Sequence, residues 1–392
     1  MTESIREQET SFTLVRCGLV YRVARRLPRV GSDRFVLAAL VVGVIAFLPL
    51  VVLAALQDVL YGTRVALPLI ADWSVLVRFA IAVPLLILGE RTIDRRLSEA
   101  VDLFRTEGVV PADVRPGFES ALTRLTRSLN SVFPELILLA IAFGSSWVGS
   151  LAAPGLTIST WRMPVPGDES TVTLAGHWLS LVSLPLFRFL VLRWFWRIFL
   201  WSRFLFRVSR MDLKLIPTHP DGSAGLAFLG LAHTSFAALL VPLALTVGAR
   251  GVFWVLYGGG TLDALRNALI AFLVLALALS LGPVFVFLPK LARTKRLGLA
   301  EYGALASDYT HRFDQKWVRG EAPANELLGS ADIQSLADLG NSYAAIRNMR
   351  LVPATLGNAI SLLLAAALPL LPVVAVVVPI EKVLQVLLQL VA

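Results

Sequence analysis

Apolar positions in this chain gather into seven nearly unbroken runs: Phe35 to Leu56, Trp73 to Gly89, Phe133 to Ala153, Trp178 to Phe199, Ala227 to Val247, Ala268 to Leu288 and Ala359 to Val378. Each is near the ~20 residues that an α-helix needs to cross ~30 Å of hydrocarbon. A soluble protein of this length would carry striped, amphipathic helices instead. The pattern predicts an all-α fold, a polytopic membrane helical bundle of about seven transmembrane helices.

Between the runs the pattern turns amphipathic. Phe12, Val15, Leu19, Val23 and Leu27 share one helical face while Arg22, Arg25, Arg26 and Arg29 fall on another, with Arg16 breaking the apolar side. This predicts a retained interfacial helix lying on anionic lipid, since a cleaved signal would need a shorter apolar core and a small-residue cleavage site. Further along, one helix is expected from about Leu291 to Val318. A second should follow Ser330 and reach Met349, with Ile333, Leu336, Leu339 and Tyr343 on a common face.

Four short likenesses recur in one order. Val20-Tyr-Arg-Val-Ala-Arg resembles Leu205-Phe-Arg-Val-Ser-Arg; Pro84 with Arg91-Thr92 resembles Pro283 with Arg293-Thr294; Pro111-Ala-Asp with Gly117 resembles Pro323-Ala-Asn with Gly329. They point to an internal duplication whose two units run parallel, joined by a linking span. The expected organisation is a basic amphipathic segment over 1–34 and a first three-span unit over 35–153, with cytoplasmic helices in 90–132. An outer loop and linking span occupy 154–199. A second three-span unit covers 200–379, with a cytoplasmic helical segment in 290–352, and 380–392 forms a tail.

Charge orients this scheme. Of 36 Lys and Arg, 30 lie in alternate connecting segments: 7 in residues 1–34, 7 in 90–132, 7 in 188–214 and 9 in 290–352. Cationic loops resist translocation, so the N-terminus is expected in the cytoplasm and the location in a cell membrane, a bacterial inner membrane being the natural host. The net charge of +9 follows from that orientation and gives no reason to expect nucleic acid as a partner. An odd number of spans would leave the C-terminus outside, unless Pro369, Pro372 and Pro379 break the last run and return it. Trp73, Trp178 and Trp254 at one set of span ends, and Trp194, Trp196 and Trp201 at the other, read as interfacial belts. The single cysteine, Cys17, excludes an internal disulfide.

Chemistry is sparse. Arg188 sits near the middle of its run, where a charged side chain must snorkel, find a partner or line a wet cavity. The other arginines of the fourth run, Arg193, Arg197, Arg203, Arg207 and Arg210, read mostly as a helix emerging into headgroups. Glu135, the one carboxylate inside a run, stands level with Arg193 and Arg197, which predicts an ion pair between neighbouring spans. His219 and Asp221, in the string Pro217-Thr-His-Pro-Asp-Gly-Ser223, could titrate or ligate as a pair. Pro-Asp-Gly is also a turn former, and Asp221 or Ser223 can cap the following helix. His233 lies within the fifth run and Ser145 and Ser146 within the third, but their depths differ by about 9 Å, too far for a Ser-His dyad. Ser145, Gly149 and Ala153 instead form a small-residue line suited to close helix approach.

No nucleotide-binding loop, zinc-protease motif or Cys/His metal cluster occurs in the sequence, so no cofactor and no catalytic activity are expected. The expected partners are the lipid bilayer, anionic phospholipids at the cytoplasmic face, and further copies of the chain as a homo-oligomer. Passage of a small solute through a channel or transporter is the leading functional class, and the cationic inner mouth with few intramembrane acids favours an anion. A membrane scaffold or signalling protein is the alternative.

Overall fold

A computed structural model describes residues 13–14, 34–62, 64–151, 158–166, 168–320 and 331–377. Among these the chain is helical, apart from loops and one isolated parallel bridge between Leu67 and Thr160. Nine helices are used below: α1 (Arg34–Leu56), α2 (Trp73–Thr106), α3 (Arg115–Leu129), α4 (Val132–Leu151), α5 (Leu174–Ser209), α6 (Ala227–Tyr257), α7 (Leu262–Val318), α8 (Ala331–Asn348) and α9 (Leu356–Val376). Helices α1, α2, α5, α6, α7 and α9 are long and apolar enough to cross a membrane. The bent pair α3 and α4, meeting at 43°, offers a seventh candidate. The amphipathic N-terminal helix, Cys17, Pro323, Ser330, Pro379 and the 380–392 tail lie outside the described residues.

All seven apolar runs start within six residues of the start of a described helix, yet several helices outlast their runs by ten residues or more. Hydropathy falls where polar groups begin, whereas backbone bonding continues as long as residues with good helix propensity follow. Thus α2 carries on past Gly89 to Thr106, α5 past Phe199 to Ser209, and α7 past Leu288 to Val318. These three share a plan. A side chain caps the start, with Asp72, Thr173 and Thr261 accepting from the backbone of Val75, Gly176 and Ala264. Irregular turns follow: π-type at Val77–Ala82 and Leu179–Ser183, 3-10 type at Gly282–Phe287. Then Pro84, Pro185 and Pro289 open a regular helix that runs on into the basic segments. Proline has no N–H and its ring crowds the preceding turn, so the ladder ahead of it re-spaces. The end of the bundle that these helices enter is called the basic end below.

Helix α1 packs on α2 and on the start of α5, α4 packs on α5, and α6 is wedged between α2 and α9. The wedge depends on two glycines. A Cβ at Gly89 would come within 2.8 Å of the Ala238 carbonyl oxygen, and one at Gly248 within 2.7 Å of that of Pro369. Helix α9 turns briefly through a 3-10 segment at Leu368–Leu370 and then resumes to Val377. Toward the basic end the core is aromatic, with Phe104, Phe118, Trp201, Phe204 and Phe287 fully buried. Near the other end Leu50, Phe79, Trp161 and Leu190 form a second core. There residues 158–173 fold across the helix ends, held by Leu67 N–H to Ser159 O at 3.0 Å and Trp161 N–H to Leu67 O at 2.8 Å.

Trp194 and Trp201 are core residues, 2% and 0% exposed, and so do not belong to an interfacial belt. Nor do Arg193 and Arg197 emerge into headgroups, since both are buried. The cause is the face of α5 on which these four residues stand, which α2, α3, α4 and α7 cover. The two proposed three-span units also keep different company. Span α1 packs on α2 and α4 on α5, whereas α9 is held by both α6 and α7.

Candidate functional site

Charged groups inside the bundle fall at two levels. At the lower level, toward the basic end, four side chains from three helices form one network. Arg197 Nη1 stands 3.0 Å from Glu90 Oε1, Arg193 Nη2 3.6 Å from Glu90 Oε2, and Arg193 Nε 3.8 Å from Glu135 Oε1. All four are buried. The Arg197 guanidinium also lies over the Trp194 ring, 5.3 Å from its centroid. Glu135 thus pairs with Arg193 across α4 and α5, as its register with α5 predicts. It is not the only intrahelical carboxylate, because Glu90 sits on α2 just beyond the point where hydropathy falls. Two positive and two negative groups leave the network neutral, which suits locking three helices together more than drawing in a charged solute.

His233 is a satisfied core residue. Trp201 Nε1 donates to its Nε2 at 3.0 Å, so the ring proton stands on Nδ1, 2.6 Å from the Ser280 carbonyl oxygen that accepts it. Both ring nitrogens are occupied, and Ser145 is engaged elsewhere. His219 and Asp221 do meet, Nδ1 to Oδ1 at 2.9 Å, outside the spans. Asp221 spends its oxygens on the backbone, accepting from Ser223 and Gly225 at Oδ1 and from Ala227, the first residue of α6, at Oδ2. Burial pushes its carboxyl up, but those three N–H donors and His219 outweigh burial and hold it below the usual carboxylate value. Arg350 clamps the turn from outside, Nη2 donating to the Asp221 carbonyl oxygen at 2.5 Å. The loop is a turn plus helix cap. No group of three His, Cys, Asp or Glu near enough to hold a metal occurs among the described residues.

Nearer the other end stand three arginines on three helices: Arg78 on α2 and Arg188 on α5, both half-buried, and Arg250 on α6, exposed. Asp72 is already committed: Ser74 Oγ donates to Oδ1 at 2.6 Å and Trp161 Nε1 to Oδ2 at 3.0 Å. Arg78 stacks on Phe187, 5.5 Å from the ring centroid, and its Nε is inaccessible to solvent with no hydrogen-bond acceptor. The local sequence explains its position. The π-type turn Val77–Ala82 that carries it packs against α6.

Arg188 belongs to this upper level and does not snorkel to the basic end. Its Nη1 donates to Ser145 Oγ at 3.3 Å. From Glu135 to Ser145 is about 15 Å along α4, whereas Arg193 to Arg188 covers only about 7.5 Å of α5. With Glu135 and Arg193 level, the Arg188 side chain must therefore climb away from the basic end. Side chains on a helix lean toward its N-terminus, which for α5 is the same direction. Ser145 thus serves as a contact for Arg188, while Ser146, Gly149 and Ala153 fall outside the described side chains.

The structure so divides the sequence candidates: Glu135 goes to the lower network, Arg188 to the upper level, and His219, Asp221 and His233 to structural roles. Arg78 and Arg250 are residues that hydropathy alone does not single out. Counting depth would have found them: Arg78 lies about 7.5 Å inside α2 from Trp73, and Arg250 about 10 Å inside α6 from Tyr257. In comparisons with known proteins, no family profile, no curated protein and no solved structure matches this chain.

Proposed function

We propose that the chain is an integral multi-pass membrane protein, without catalytic activity, that passes a small anion across the bilayer. The observation that carries this reading is Arg78 on the π-type turn of α2, whose Nε is inaccessible to solvent and has no hydrogen-bond acceptor, while the carboxylate of Asp72 at the start of the same helix is bonded to Ser74 and Trp161. Charge is costly at such depth, and intramembrane ionisable groups that gather on one side of neutrality mark ion or solute paths. The distribution of Lys and Arg supports a cytoplasmic N-terminus in a bacterial inner membrane.

Flux of chloride, nitrate and phosphate into proteoliposomes tests this reading. Arg78→Gln should reduce anion flux by about tenfold or more, a difference of about 1.4 kcal/mol in anion stabilisation, while Arg78→Lys should retain part of it. Wild-type protein that moves no anion would end the proposal. A second reading, a membrane scaffold, has one observation in its favour. The α7–α8 hairpin beyond Leu288 keeps Leu297, Leu305 and Ile333 exposed, as a surface for another protein would.

A further inference from the structure

We infer that Phe187 of α5 is the positioning residue of Arg78: its ring holds the guanidinium inside the bundle with an N–H edge free, and losing the ring costs anion passage. The inference rests on reading Arg78 as the group that carries anion passage, and it adds what aims that group.

The contact runs between helices. The Arg78 guanidinium stands 5.5 Å from the centroid of the Phe187 ring, and the neighbouring Phe79, fully buried, meets the same ring edge-on at 6.5 Å and 80°. Phe187 is thus seated against two successive residues of the π-type turn Val77–Ala82, and such turns gather at functional sites. The other arginine–ring contacts among the described residues are local. Arg197 stacks on Trp194, Arg210 on Phe206 and Arg250 on Phe253, each ring three or four residues from its arginine in the sequence. A local ring travels with its arginine. Phe187 does not, so the aim of Arg78 depends on how α5 sits against α2.

The place of the ring is fixed from a third helix. Phe187 follows the π-type turn Leu179–Ser183 and Pro185, and in that turn Ser183, fully buried, donates through Oγ to the Ala46 carbonyl oxygen of α1 at 2.7 Å. Trp178 Nε1 donates to the adjacent Ile45 carbonyl at 3.2 Å. That carbonyl is open because Pro49, one turn further along α1, has no N–H to give it. Helix α1 therefore holds the start of α5, and α5 holds the ring.

The ring decides where the charge goes. It covers one face of the guanidinium and leaves the planar N–H edge, on which Nε is inaccessible to solvent and has no acceptor. Arginine is long and flexible, and side chains on a helix lean toward its N-terminus, which for α2 is the boundary marked by the exposed Trp73. Without Phe187 the guanidinium swings out to that boundary, where water satisfies it. With Phe187 the charge stays inside, and the Nε–H edge is left for an anion.

The test reads chloride and phosphate flux into proteoliposomes for single and double variants of the full-length protein. Phe187→Leu, which keeps an apolar side chain and removes the ring, should lower flux about fivefold, while Phe187→Tyr, which keeps the face, should stay within about twofold of wild type. Phe187→Leu added to Arg78→Gln should lower flux no further, because a positioning residue acts through the group it positions. Multiplied losses in the double variant, or a Phe187→Leu protein as active as wild type, would overturn the inference. Melting temperature separates positioning from packing. The loss on Phe187→Leu should be about 1–2 °C smaller in the Arg78→Gln background than in wild type, since the Phe79 contact is lost in both and the guanidinium contact in only one. Equal losses in the two backgrounds would reduce Phe187 to a packing residue and sink the inference. Wild-type protein that moves no anion ends the passage reading, and the melting cycle then decides by itself whether Phe187 holds Arg78.

Discussion

At the scale of single residues, the two charged levels behave oppositely under mutation. Glu90 faces both Arg193 and Arg197, so Glu90→Gln leaves a buried guanidinium without its counter-charge and should cost about 3–5 kcal/mol in unfolding free energy. Arg197→Gln should cost a similar amount, because it strands Glu90. The double variant Glu90→Gln/Arg197→Gln should be no less stable than the worse single one, as removing both charges removes the desolvation problem. A double-mutant cycle by chemical denaturation measures this, and additive losses would show that the pair is uncoupled. His233 offers a neutral comparison. His233→Phe keeps the shape but leaves Trp201 Nε1 and the Ser280 carbonyl without their partner, which should cost about 1–3 kcal/mol. How far such sites can be read from a sequence depends on whether depth alone decides them. The Glu135–Arg193 pair is legible because antiparallel neighbours put the two at one height. Glu90 and the burial of Trp201 are not, since both depend on which face of a helix its neighbours cover.

At the scale of helices, apolar runs reveal where spans start much better than where helices stop. The extensions of α2, α5 and α7 past Gly89, Phe199 and Leu288 are polar on one side, and hydropathy loses them although the backbone ladder continues. The π-type turns were illegible for another reason, because proline marks a break without saying how the ladder absorbs it. Helix α6 shows both a legible and a hidden determinant. Its start is capped by Asp221, as the Pro-Asp-Gly string implies, and Asp221→Ala should cost about 1–2 kcal/mol by releasing the Ala227, Ser223 and Gly225 N–H groups. Since the folded carboxyl titrates below its usual value, its contribution is fully present above the unfolded pKa of about 3.9 and is lost as pH falls through the folded value. Melting of wild type and Asp221→Ala should therefore converge as pH is lowered through that window and differ by a constant amount above it. The hidden determinant is Gly248, whose neighbour across the interface is a backbone oxygen that cannot move aside, so Gly248→Val should force α6 and α9 apart and lower the melting temperature.

At the scale of the whole molecule, charge is arranged along the bundle axis as well as in pairs. With Arg188, Arg193 and Arg197 of α5 set apart, the segments toward one end still hold 27 of the 36 Lys and Arg, while Arg193 and Arg197 pair with Glu90 and Glu135 nearest that end. The far end has few loop cations, yet Arg78 stands there with Asp72, whose carboxylate Trp161 holds. If the basic segments face the cytoplasm, as the positive-inside tendency predicts, Arg78 stands toward the opposite side. Cys17, the only thiol, lies in the basic N-terminal segment and reports the orientation directly. A membrane-impermeant maleimide should label it in inverted vesicles and leave it unmodified in intact spheroplasts. Labelling in intact spheroplasts would turn the molecule over and place Arg78 toward the cytoplasmic side.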